Sequence, residues 1–166
     1  MTAARQQRKS RLVLGVVLGL AACTGIFICP EGRAATPDRL VVDAHTGLAI
    51  SGFDPVAYFT DAQAKIGRPD LELSQDGAIW RFSNEGNRAA FAAHPEVYTP
   101  RFGGYDPVAV AHDNSVPGHP LFWTVTDGRL YLFYSAKTRA DFLAAPGRIV
   151  ESATRKWPEV ARSIAR

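Results

Sequence analysis

Cysteine occurs only twice in the 166 residues, at Cys23 and Cys29, and methionine only once, at Met1. All three lie before residue 35, so the rest of the chain has no thiol and no thioether. This excludes a disulfide, an iron–sulfur cluster, a thiolate zinc site and a cysteine nucleophile from residues 35–166. An excess of one charge is lacking as well. The sequence pI is near 9.1. However, five of the 19 basic side chains (Arg5, Arg8, Lys9, Arg11, Arg33) and only one of the 16 acidic ones (Glu31) precede residue 35. The body is left with 14 basic against 15 acidic groups, a net charge of −1. The basic balance therefore belongs to the leader, and no nucleic-acid partner is expected. Three enzyme signatures are also missing: a phosphate-binding glycine loop, a Gly-x-Ser-x-Gly elbow and a His-Glu-x-x-His helix.

Residues 1–34 read as an address. A polar, basic start is followed by Leu12–Ile28, a run of 17 residues without charge, and then by Pro30 and Gly32. Small residues at Gly32 and Ala34 suit cleavage after Ala34, the layout of a secretory signal peptide. The run is also long enough for a short membrane anchor with the body outside. Leu20-Ala21-Ala22-Cys23 resembles a bacterial lipobox, which makes Cys23 a candidate lipidation site. All three readings put the body in the periplasm or elsewhere outside the cytoplasmic membrane. The membrane is a partner only if the segment is retained or lipidated.

Residues 35–48 are expected to be an extended lead-in, and residues 49–166 a domain built from two related halves. At an offset of 51, Gly67-x-Pro69, Asp76-Gly77, Arg88-Ala89-x-Phe91 and Ala93-x-Pro95 recur from Gly118 to Pro146. At an offset of 52, Phe53-Asp54-Pro55-Val56-Ala57 recurs as Tyr105-Asp106-Pro107-Val108-Ala109. Each Asp-Gly between apolar segments predicts a tight hairpin. The first spans 71–83. The second spans 122–134, is apolar on both faces, and is expected to be the more central. Ser83 or Asn84, and Ser135, are placed to cap a helix after each hairpin, and Asp106-Pro107 to open a short helix at 107–111. Ile149, Ala153, Trp157, Val160 and Ile164 share a face of a C-terminal helix, which Pro158 is expected to kink. The fold class is α+β: two β-hairpins in one antiparallel sheet with helices packed on it.

An ordered set of motifs now stands out. Ile50-Ser51-Gly52-Phe53-Asp54-Pro55-Val56-Ala57-Tyr58-Phe59 is followed by Gly77-Ala78-Ile79-Trp80-Arg81-Phe82-Ser83 and Pro95-Glu96-Val97-Tyr98-Thr99-Pro100. Phe102-Gly103-Gly104-Tyr105, Asp127-Gly128-Arg129-Leu130-Tyr131-Leu132 and Trp157-Pro158 complete it. From about residue 49 to 160 the chain resembles exported YHS-domain proteins. Some YHS domains accompany copper-type transport ATPases, so the resemblance implies metal binding as one expectation. Exported stand-alone members are mostly of unknown function. The metal-binding version of the pattern has cysteine where this chain has Ala57, Ser83 and Asn87. Exported relatives often have another where Asp106 stands. A soft-metal site is therefore not expected here.

Two candidate sites remain. Tyr58, Phe102, Gly103, Gly104 and Tyr105 surround a glycine turn that suits a small ligand or a protein partner, or equally a packed core. Asp106, His112, Asp113 and His119 offer imidazole and carboxylate for a divalent metal ion, the candidate cofactor. His94, before Pro95, reads as a helix-end residue, and His45 has no evident partner. With no catalytic constellation, the expected function is a non-enzymatic small-ligand or partner-binding module in the cell envelope. A His/Asp metal-binding protein is the alternative.

Overall fold

The structure, a computed structural model, describes residues 39–164. The leader with Cys23, and residues 35–38 of the lead-in, lie outside the described residues.

The chain lays down one series of elements twice. The first half runs through a 3-10 turn (Ile50–Gly52), α1 (Ala57–Thr60), β1 (Arg68–Gln75), β2 (Ala78–Phe82), α2 (Glu85–Ala93) and α3 (Pro95–Tyr98). The second runs through a 3-10 turn (Arg101–Gly104), α4 (Pro107–Val110), β3 (His119–Thr126), β4 (Arg129–Phe133), α5 (Ala136–Ala144) and α6 (Pro146–Ile164). The echo extends to irregularities. Both hairpins turn on Asp-Gly with positive φ at both residues, 52° and 77° at Asp76-Gly77, 49° and 66° at Asp127-Gly128, as a two-residue hairpin turn requires. Both strand pairs shift register, between Arg68 and Glu72 in one and between His119 and Trp123 in the other. Gly67 and Gly118 sit so close to the partner strand that a methyl group would strike Arg81 or Leu132.

Short polar side chains start the helices after the hairpins. Asn84, not Ser83, caps α2 by accepting from the Asn87 amide. Ser135 caps α5 in a reciprocal box with Thr138. Asp106 caps α4 through the Val108 and Ala109 amides. These contacts satisfy amides that have no partner inside the first helical turn.

The domain is α+β, but the hairpins form two separate two-stranded sheets rather than the single sheet expected. The burial pattern gives the reason. Alternate residues of β4 enter different cores. Leu130 and Leu132 pack with Trp80, Phe82, Phe91, Val56 and Tyr58 in the first core. Tyr131 and Phe133 pack with Phe102, Val110, Phe142, Ala153 and Val160 in the second. The second hairpin thus lies between the two cores, and β4 is buried on both faces. The first hairpin buries one face. Its other face is polar and carries the Arg81–Glu72 ion pair at 2.8 Å.

Helix α6 covers the second core with the five residues expected, Ile149, Ala153, Trp157, Val160 and Ile164. It continues through Pro158 and does not restart there. Proline removes one backbone bond, whose acceptor would be the Thr154 carbonyl. Thr154 and Pro158 are both exposed, so water can serve that carbonyl. Trp157 meanwhile packs against Phe102 and Tyr105, with ring centroids 5.8 Å from each.

Candidate functional site

The glycine turn is filled by the chain itself. The Val41 amide donates to the Gly103 carbonyl at 2.8 Å. A Cβ on Gly103, at φ 61°, would overlap the Arg39 carbonyl. The lead-in therefore occupies the face on which a ligand was expected. Of the three aromatic residues assigned to that site, only two are brought together. Phe102 and Tyr105 are buried in the second core. Tyr58 is buried in the first, where its hydroxyl donates to the Pro120 carbonyl at 3.0 Å. Gly104 packs against Leu132 and Val41. Beyond Val41 the lead-in is not simply extended. Asp43 Oδ1 accepts from the His45 and Thr46 amides and the Thr46 hydroxyl, and these bonds hold the Asp43 carboxyl below its usual range.

Asp54 and Asp106 are both fully buried. Asp54 Oδ1 accepts from the Val56 and Ala57 amides. Its Oδ2 accepts from the Ser83 amide at 2.8 Å, the Ser83 hydroxyl at 2.6 Å and Asn87 Nδ2 at 2.7 Å. The three positions at which the metal-binding pattern would have cysteine therefore converge on one carboxylate, where hydrogen bonds use their polar groups internally. The available signal was the recurrence of Asp54-Pro55-Val56-Ala57 as Asp106-Pro107-Val108-Ala109, each ahead of a hairpin.

The candidate metal ligands are dispersed among other tasks. Asp106 caps α4, and its Oδ2 accepts from the Tyr134 amide at 2.8 Å. Asp113 pairs with Lys156. His119 Nδ1 accepts from the Leu121 amide at 3.2 Å, and its ring packs on Phe122. His112 Nδ1 lies 2.8 Å from the Val108 carbonyl. Among the described residues no three His, Cys, Asp or Glu side chains are grouped to hold a metal. His94 ends α2, where its amide donates to the Ala90 and Phe91 carbonyls.

One of these residues does face a cavity. His112 lines an open cleft of about 490 Å³ between α4, α5 and α6. Its apolar lining is Val108, Ala111 and Ile149; Asp141, Arg148 and Ser152 supply the other polar groups. Because a carbonyl only accepts, the Nδ1–H of His112 donates to Val108, and in the neutral ring Nε2 keeps the lone pair. Arg148 makes no ion pair among the described residues. Asp141 pairs with Lys137 at 2.7 Å on the surface of α5. Apart from His112, the sequence reading missed these residues because none belongs to a motif. The available signal was helical spacing, since Arg148 and Ser152 stand four apart beside Ile149.

These features define an α+β domain of two similar halves with a polar-rimmed cleft. No known protein family, curated protein or solved structure matches the chain.

Proposed function

We propose that this chain is an exported YHS-type domain that serves as a non-enzymatic binding module and seats a small ligand in the cleft between α4, α5 and α6. The layout of residues 1–34 supports export, and the ordered motifs from Ile50 to Pro158 support the family assignment. The observation that carries the ligand site is the cleft, which combines an apolar floor with a few polar groups and a guanidinium that makes no ion pair among the described residues. Its volume of about 490 Å³ lies within the range of about 300–1,000 Å³ common for small-molecule sites. At the glycine turn the Arg39 carbonyl already fills the space against Gly103.

The test is a thermal-shift and calorimetric screen of the full-length protein against free amino acids, short carboxylates, sugars, polyamines and divalent metal salts. Ser152→Phe, which puts a ring into the cleft, is the companion variant. Stabilisation by a small organic compound that disappears in a folded Ser152→Phe protein supports the reading. Binding that survives in Ser152→Phe, or a response to metal salts alone, overturns it.

A further inference from the structure

The geometry points to a zwitterionic ligand for this cleft, an aliphatic α-amino acid or a molecule of that chemical class. This inference rests on the cleft being the ligand site. Each part of the lining narrows the choice. Arg148 presents a guanidinium with no carboxylate partner among the described residues, and its planar fork of donors suits a carboxylate. Asp141 presents the opposite charge. Only its Oδ2 is engaged by Lys137, whose side chain is 82% exposed, and such a surface pair holds its partners weakly. His112, tied to Val108 through Nδ1, adds an acceptor at Nε2. Val108, Ala111 and Ile149 supply an aliphatic floor.

The lining therefore holds a cation, an anion, an acceptor and a hydrocarbon surface. A simple carboxylate satisfies Arg148 but brings its charge towards Asp141 and the Nε2 lone pair. A simple amine satisfies Asp141 but meets Arg148. A molecule with both groups satisfies both, while its side chain removes apolar surface from water. Neither α4 nor α5 brings a basic residue to the cleft lining, so Arg148 of α6 is the group that would select the carboxylate end.

The experiment is calorimetry on the full-length protein near neutral pH with three probes. L-leucine carries both charged groups, 4-methylvalerate lacks the amine, and isoamylamine lacks the carboxylate. Leucine is expected to bind at least about tenfold more tightly than either truncated probe, since a polar site rejects an analogue that leaves its groups unpaired. Arg148→Gln should weaken leucine by at least about tenfold, and Asp141→Asn should bring 4-methylvalerate close to leucine. If 4-methylvalerate binds the unmodified protein as tightly as leucine, the zwitterion inference fails while the cleft reading survives. The same holds if leucine does not bind but another compound does, and is lost in Ser152→Phe. Leucine binding that Arg148→Gln, Asp141→Asn and Ser152→Phe all leave unchanged overturns both.

Discussion

Asp54 and Asp106 hold the same post in the two halves, 52 residues apart, and they hold it with unequal strength. Each is fully buried and ties the start of a short helix to the end of the following hairpin. Asp54 accepts from five donors, adding the Ser83 hydroxyl and the Asn87 amide group to three backbone amides. Asp106 accepts from three backbone amides alone. Thr138, at the position that matches Asn87, has turned to Ser135 instead.

This asymmetry has a measurable consequence. Replacing either carboxylate with alanine strands buried donors, at about 1–3 kcal/mol for each that finds no water. Asp54→Ala is therefore expected to be the more damaging, with a loss of more than about 3 kcal/mol. Urea denaturation of both variants checks the order. Equal losses would show that the Ser83 and Asn87 side chains contribute nothing.

Gly103→Ala should detach the lead-in. The new methyl group would overlap the Arg39 carbonyl in a backbone conformation that already disfavours a side chain. A stability loss of about 1–3 kcal/mol is expected, with faster hydrogen exchange at the Val41 amide, which donates to Gly103. Protection at Val41 equal to that of the unmodified protein would contradict the account of this turn.

Alkaline pH should unfold the domain through its buried phenols. Burial, and then the neighbouring Asp54 charge, pushes Tyr58 above the ordinary tyrosine range. Burial also raises Tyr105 and Tyr131. The folded state favours the neutral phenol, so this stabilisation is complete below the unfolded value of about 10. It is lost as pH rises from there towards the folded values. A fraction of the near-ultraviolet phenolate signal should therefore appear only together with loss of structure. Tyr58→Phe should shrink that fraction.

The two halves should unfold together. Leu130 and Phe133 lie on one strand but serve different cores. Leu130→Ala and Phe133→Ala should each cost about 2–5 kcal/mol and lower a single shared transition. A second transition in calorimetry would show that the cores are independent.

Much of the fold was legible because its cues are local. Asp76-Gly77, Asp127-Gly128, Ser135, Asp106 and the α6 face act through neighbours within a few residues, and each took the expected structural role. The stacking of the hairpins was harder to read. Apolar residues on both sides of β4 indicated a central strand, yet that pattern suits a strand within a wider sheet as well as a hairpin between two cores. Pro158 does not end the helix, because the residues on both sides of it, Trp157 and Val160, pack on the second core. The site was less legible still. Gly103-Gly104 signalled a close approach, but the approaching group is the chain's own Arg39 carbonyl. The cleft draws Asp141 and Arg148 from exposed helical positions and Ser152 from a half-buried one, where polar residues are ordinary.

The polar back of the first hairpin and the apolar back of the second also bear on synthesis. The N-terminal half leaves the ribosome first, with Arg81 and Glu72 on a surface that tolerates water. Leu130 and Leu132 follow only when the half that will shelter them already exists. Until they do, Trp80, Phe82 and Phe91 lack part of the cover they have in the folded first core, an aggregation hazard. The first core is thus complete only once β4 has been made.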